Sequence, residues 1–208
     1  MKLAIIGDIH GNFNQYKNIC AILDMPTIAL GDIGIGFPNI NFPKMPCKDK
    51  IFPGNHDDRR AFVRYQDNYV GDYGAYQPDG AIKPIFFLGG GFSPDFKSRT
   101  HGFDFWDYEQ LSLRELEHAQ HIYETLKPDV VVTHERPFGL TESLLEEFRN
   151  SRPYLFYRER TTVFLERLLD IHIPKVWVYG HWHENRHDTY RGCEFYCVEQ
   201  LGYKIIEV

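Results

Sequence analysis

Asp8, His10, Asp32, Asn55, His56, His134, His181 and His183 are the residues of this chain whose types and spacing could carry out chemistry. They fall in five short motifs: Gly7-Asp8-Ile9-His10, Gly31-Asp32, Gly54-Asn55-His56-Asp57, Thr133-His134 and Gly180-His181-Trp182-His183. Each motif follows an apolar stretch that reads as a strand. In extended backbone, side chains two residues apart point to the same side. Asp8 and His10 can therefore hold one cation as a pincer, and so can His181 and His183. Carboxylate and imidazole together suit divalent manganese, iron or zinc, whereas calcium or magnesium favours oxygen ligands throughout. No cysteine belongs to the set, which disfavours a thiolate-bound structural zinc. Asp32 has no neighbouring ligand in sequence and is the natural bridge between two ions. Two cations ~3.5–4 Å apart can share a hydroxide, lower its pKa toward neutrality and clamp a phosphoryl group.

The elements that must position these residues follow from hydrophobic pattern and punctuation. Lys2–Ile6, Thr27–Leu30, Asp49–Phe52, Asp129–Val132 and Lys175–Tyr179 are short apolar runs, and each ends just before a motif. Tyr16, Ile19, Cys20 and Leu23 recur at helical spacing, with Asn12 or Asn14 as the cap and Pro26 as the stop. Ser112 with Glu115 makes a capping box for a helix running to about Leu126. A further amphipathic helix is predicted over Tyr154 to Leu169. Tyr73–Tyr76, Ala81-Ile82 and Ile85–Leu88 read as short strands, with Pro78-Asp79-Gly80 as a turn. Segments near 189–190, 194–198 and 203–208 read as closing antiparallel strands. The strand–helix–strand rhythm predicts an α/β fold with part of its sheet parallel. No repeat or linker divides residues 1–208, so one domain is expected.

Bulk properties narrow the function. The chain has 208 residues, 43% hydrophobic and 25% charged, ordinary for a soluble globular protein. A formal charge of −6 argues against long nucleic acid as the partner. A small phosphorylated substrate is still compatible, because bound cations reverse the local sign. No run approaches the length of a membrane span, and Cys20, Cys47, Cys193 and Cys197 show no paired spacing. A cytoplasmic protein with reduced thiols and no membrane association is the expectation.

The ordered set GDIHG, GD, GNHD, TH and GHWH resembles the calcineurin-like metallophosphoesterase superfamily. The resemblance implies a four-layer α/β/β/α sandwich with two divalent metal ions at one edge. It implies Asp8, His10, Asp32 and His183 on the first metal, and Asp32, Asn55, His134 and His181 on the second. Manganese is the expected metal, with iron, zinc or nickel as alternatives. His56 is implied to act on the substrate, as general acid toward the leaving oxygen or as a phosphate stabiliser. One departure matters. Phosphoprotein phosphatases of this superfamily extend the second motif to GDxxDRG, and here Ile35 and Gly36 stand at the Asp and Arg positions. A dedicated phosphoserine phosphatase is therefore disfavoured.

Arg99, in the long aromatic segment after Gly89-Gly90-Gly91, is a candidate for the phosphate contact that Gly36 cannot make, since a guanidinium fork matches phosphate oxygens. His101 beside it is a second candidate substrate contact. Arg136 reads first as a salt-bridge residue, and Asp57-Asp58 are expected to neutralise Arg59-Arg60. His118 and His121 read as a solvated helix face. Arginines and tyrosines over 149–160 suggest a charged helix start or a lid over a nucleotide. The resulting expectation is a dinuclear phosphoesterase that hydrolyses an ester or anhydride by attack of metal-activated hydroxide. The alternatives are a nuclease or cyclic-nucleotide phosphodiesterase, and a non-catalytic metal-binding interaction scaffold.

Overall fold

Ile5 and Ile6 point to opposite sides of the first strand, and each meets a separate hydrophobic layer. That alternation, repeated strand after strand, defines the architecture. The computed structural model describes residues 1–38, 40–151 and 158–208, with the side chain of Glu147 left aside.

One sheet has the order β10-β1-β2-β3, formed by Tyr203–Glu207, Lys2–Ile6, Thr27–Ala29 and Asp49–Ile51. β1, β2 and β3 are parallel and β10 is antiparallel to β1. The second sheet has the order β4-β5-β6-β7-β9-β8, from Tyr73–Tyr76, Ile85–Leu88, Val130–Thr133, Val176–Tyr179, Cys193–Cys197 and Arg186–Tyr190. Within it β5, β6, β7 and β9 are parallel, while β4 and β8 close the two edges antiparallel.

The sheets pack face to face through Leu3, Ile5, Ile28, Leu30 and Phe52 on one side and Ile85, Phe87, Val130, Val132 and Val178 on the other. The alternate residues of the second sheet, Phe86, Leu88, Val131, Trp177 and Tyr179, face outward onto α2 (Leu113–Leu126) and α4 (Arg160–Ile171). On the far side of the first sheet, Ile6, Ala29 and Ile51 meet Tyr16 and Cys20 of α1 (Phe13–Leu23) and Phe62 of the 3-10 segment Arg59–Tyr65. Three apolar layers between four structural layers make the expected α/β/β/α sandwich, and strands buried on both faces explain why they read as unbroken apolar runs.

Most of the predicted elements are present. The capping box of α2 is formed, with Ser112 Oγ accepting from Glu115 N and the Glu115 carboxylate accepting from Ser112 N. Asn12 occupies the cap position of α1, but its side chain turns back to donate to the carbonyl of Ile9. Pro78-Asp79-Gly80 does turn, through Ala81 N–H to Pro78 O. Ala81-Ile82 is not a strand: among the described residues no strand pairs with it, and Ile82 is 88% exposed. The closing strands differ in one respect from expectation: β9 is antiparallel to β8 but parallel to β7, and β10 crosses to the other sheet. Of the helix predicted over Tyr154 to Leu169, residues 154–157 lie outside the described residues, and α4 runs from Arg160 to Ile171. Among the described residues no helix is long and apolar enough to cross a membrane.

Candidate metal centre and substrate cavity

The five motifs sit where parallel strands end. Asp8 lies two residues past β1, Asp32 three past β2, Asn55 four past β3, His134 next after β6 and His181 two past β7. The C-terminal edges of both sheets converge there, the usual place for a site in α/β layering. Cross-sheet bonds tie the edges together. Gly90 N donates to Pro53 O at 2.8 Å, and His134 Nδ1 lies 2.7 Å from Leu30 O.

Tight backbone is needed to bring seven side chains to one place. His10, Asp32, His181 and His183 all have positive φ, between 46° and 65°. Left-handed backbone is uncommon for such residues and concentrates at functional sites. Gly54 answers a different demand. A Cβ there would lie 2.1 Å from Asp32 Oδ1 and 2.8 Å from the His134 ring, so only glycine lets the Asn55 loop pass behind both side chains.

The donor atoms form three overlapping groups: Asp8, His10 and His183; His10, Asp32 and His56; Asp32, His134 and His181. Within each group the atoms lie within 4.8 Å of one another. His183 Nε2 is 2.9 Å from Asp8 Oδ2 and 3.0 Å from His10 Nε2. His134 Nε2 is 2.8 Å from Asn55 Oδ1 and 3.4 Å from Asp32 Oδ1. The Leu30 carbonyl can only accept, so Nδ1 of His134 carries a proton and Nε2 is the nitrogen left to meet a cation. Imidazole lone pairs and carboxylate oxygens that converge in this way fit a cation, and the outer hydrogen bond that sets the tautomer is the usual companion of a ligating histidine. Asp32, like His10, belongs to two of the groups. Its carboxyl is buried, which opposes charge, yet His134, His56, His10 and His181 hold it well below the ordinary carboxylate range.

Asn55 is oriented by a directional chain that local spacing does not reveal. Ser93 Oγ donates to Glu109 Oε2 at 2.7 Å, and Ser93 N donates to Glu109 Oε1 at 2.9 Å. A carboxylate accepts, so the hydroxyl proton points to Glu109 and a lone pair of Ser93 Oγ receives Asn55 Nδ2, 2.9 Å away. The amide oxygen of Asn55 then faces His134 Nε2. Burial pushes the Glu109 carboxyl up to about 7, against its two bonds to Ser93. Ser93→Ala is expected to weaken metal binding at this side of the cluster by roughly 10–100-fold, the usual cost of losing an outer partner. Titration of the apo chain with manganese against a chelator reads that loss directly.

Asp57 is the second such residue. Its buried carboxylate accepts from Ile33 N, Gly34 N, Ile35 N and Gly54 N at 2.8–2.9 Å. It thereby ties the Asp32 loop to the Asn55 loop. Burial, then the charge of Asp32, pushes it up to about 7, while those N–H groups pull the other way. Asp57 therefore does not neutralise Arg59, which pairs with Glu115 at 2.7 Å and Asp72 at 3.5 Å. Glu135 is the third. It accepts from Trp182 Nε1 at 2.7 Å and lies 3.3 Å from His181 Nε2.

His56 stands beside the cluster with its backbone N–H on Asp32 Oδ1 at 2.9 Å. Arg99 reaches it from the loop after Gly91: Nη1 is 2.8 Å from Nδ1 and Nη2 is 2.5 Å from Nε2. Arg99 Nε donates to Asp95 at 2.7 Å, which fixes the fork. A guanidinium only donates, so His56 is neutral in this arrangement. Burial lowers its pKa to about 4; Asp32 opposes this and Arg99 reinforces it. An arginine at position 36 would not fit, since even a Cβ on Gly36 would approach Asp58 Cβ to 2.4 Å.

Both residues line a cavity of about 310 Å³ together with Asp32, Asn55, Glu135, His181 and His183. His101, the other candidate substrate contact, is not brought there. Its ring is 64% exposed and pairs with Asp107 at 3.0 Å, because the loop turns it outward at the Thr100–Asp104 bend. Arg136 makes no ion pair to a carboxylate among the described residues. Its guanidinium lies buried 3.5 Å over the Trp182 ring, with Nε on Thr141 Oγ1 at 2.9 Å. His118 Nδ1 meets Tyr73 Oη at 3.1 Å. Residues 152–157 of the suggested lid lie outside the described residues.

Comparison with known proteins speaks to family and fold. A search of curated protein sequences finds no match to this chain. Among solved structures, the phosphopantetheinyl hydrolase PptH of Mycobacterium tuberculosis is similar with a TM-score of 0.52 at 16% identity, covering 96% of this chain and 89% of that one. GAP50, described as the anchor in the inner membrane complex of Plasmodium, gives 0.50 at 9% identity, covering 99% of this chain and 80% of that one. At such identities these likenesses speak to the fold alone. The profile of the calcineurin-like phosphoesterases matches residues 1–185, which takes in every motif from Asp8 to His183, and the chain belongs to that family.

Proposed function

We propose that this protein is a dinuclear metal-dependent phosphoesterase acting on a small phosphorylated substrate. The observation that supports this best is the overlap of three donor groups at a cavity whose lining includes Asp32, His181, His183, His56 and Arg99. Asp8, His10, Asp32 and His183 would hold one divalent cation, and Asp32, Asn55, His134 and His181 the other, with manganese the expected ion. Cations in those places would supply Lewis acidity toward a phosphoryl oxygen and a water of lowered pKa. The chain's own residues do the rest. Arg99, held by Asp95, presents fixed positive charge to the phosphoryl oxygens. His56 faces the same space and holds a proton for the leaving oxygen, since a bound phosphate dianion favours the imidazolium that burial and Arg99 oppose. Trp182, pinned by Glu135 and backed by Arg136, keeps His181 and His183 in place.

GAP50 shares the fold and is described as an anchor, so catalysis cannot be argued from the fold. A pure scaffold has no use for an arginine-paired histidine beside the donor cluster. The test is turnover of a panel of phosphate mono- and diesters with Mn, Ni, Zn or Mg, with wild type beside His56→Ala. The variant is expected to keep its metals and lose on the order of 10²-fold in kcat. Loss of metal from His56→Ala would refute its role on the substrate, and a wild-type chain inert on the whole panel would favour the scaffold.

A further inference from the structure

Beyond the donor cluster, the cavity wall changes character. Phe92 and Pro94 come from the loop after β5, Phe138 and Thr141 from α3 (Phe138–Leu145), Glu159 and Thr162 from the start of α4, and Trp182 from between the two motif histidines. Three aromatic rings and a proline stand on this wall. Its charged groups are as informative. Among the described residues Arg99 is the one fixed cation on the lining, and it stands at His56. The carboxylates away from it are Glu135 and Glu159. Burial raises the Glu159 carboxyl, and Gln110 lies 3.5 Å from it. Arg136 lies 3.5 Å from the centre of the Trp182 ring and Arg158 4.8 Å from that of Phe138, but on the lining itself the cation is Arg99, and the rest of the wall carries apolar rings, two threonines and two carboxyl groups.

We infer that this wall is a leaving-group subsite, built for phosphate esters of an apolar alcohol, aromatic ones above all, that carries no second anionic group. The inference rests on the phosphoesterase reading and names its substrate class. An aromatic leaving group gains by burial against Phe92, Phe138 and Trp182, because apolar area removed from water is favourable in proportion to its size. A sugar or glycerol leaving group would lose water there without burying aromatic area against those rings in return. A second phosphate or a carboxylate would meet the Glu135 and Glu159 carboxyl groups, which repel it when ionised. Hydrolysis at this site breaks the bond from phosphorus to the alcohol oxygen, water supplies the new oxygen on phosphorus, and the alcohol leaves with a proton.

Benzyl phosphate, glycerol phosphate and 3-phosphoglycerate make a fair comparison, since all three are esters of aliphatic alcohols. The metal-loaded protein is expected to prefer benzyl phosphate over glycerol phosphate by roughly tenfold or more in kcat/KM, with phosphoglycerate poorer still. Phe92→Ala should bring the first ratio toward one. Glu159→Gln should narrow the gap between phosphoglycerate and glycerol phosphate. Calorimetric binding of benzylphosphonate against 2-carboxyethylphosphonate, done on the same protein, needs no turnover and should show the same order. Equal kcat/KM for benzyl and glycerol phosphates, a ratio that Phe92→Ala does not move, or equal binding of the two phosphonates would overturn the subsite and leave the phosphoesterase reading standing. Ordered phosphonate binding without turnover on any ester would do the reverse.

Discussion

Asp32→Asn is expected to abolish measurable turnover and to lower metal occupancy. Asp32 is shared by two of the three donor groups, its oxygens facing His134, His10 and His56 at 3.4, 3.7 and 4.0 Å. The amide that replaces it loses the negative charge and turns an N–H donor toward lone pairs of histidine or toward a cation. Both changes would act on both proposed metal positions at once. The cost in metal affinity should therefore exceed the roughly 10–100-fold attached to an outer partner such as Ser93. Asp32 Oδ1 also accepts the His56 N–H, so the His56 loop loses an anchor as well. Elemental analysis after dialysis, beside the rate on a phosphate ester, checks both parts. An Asp32→Asn protein with two metals and an unchanged rate would remove the bridge from the account.

The largest stability effect is expected at Asp57. Asp57→Ala strands four backbone N–H groups of two loops in a buried place, and each stranded donor costs about 1–3 kcal/mol. The carboxylate itself is costly to bury, and water can enter the space left, so the net loss is about 3–5 kcal/mol. For a chain of this length that corresponds to a fall of roughly 10 °C in Tm. Asparagine should not rescue. Each carboxylate oxygen accepts from two N–H groups, and Asp57→Asn turns one of those oxygens into an N–H donor that faces two others. Denaturant melts of the alanine and asparagine variants check the claim, and a loss under about 1 kcal/mol in either, less than one stranded donor, would contradict it.

These two residues also show what the sequence made legible. Asp32 could be found because its chemistry is local: a carboxylate after a glycine at a strand end, one of five such ends. The strands were legible for a similar reason, being apolar on both faces between two layers of packing. Asp57 was quoted as part of a motif, but its role is to bind Ile33, Gly34 and Ile35 from another loop, and sequence spacing carries no trace of that. The pairings of Ser93 with Glu109 and of Glu135 with Trp182 leave no trace in sequence spacing for the same reason.

The α3 helix was not foreseen. It is eight residues long with Pro137 before it, and a glycine, the residue that usually argues against a helix, at its second position. Gly139 is there because a Cβ would come 2.2 Å from Tyr190 Oη; close approach, not helix propensity, sets that choice. His101 failed in the opposite direction. It has suitable chemistry and sits two residues from Arg99, but the bend between them turns one side chain to His56 and the other to solvent.

The central claim is that seven side chains from both sheets hold two divalent cations. Anomalous diffraction from crystals grown with manganese tests it most directly. The expected map has two peaks, one among Asp8, His10, Asp32 and His183 and the other among Asp32, Asn55, His134 and His181, with Asp32 touching both. No peak in the cluster, or manganese bound elsewhere on the chain, would contradict it.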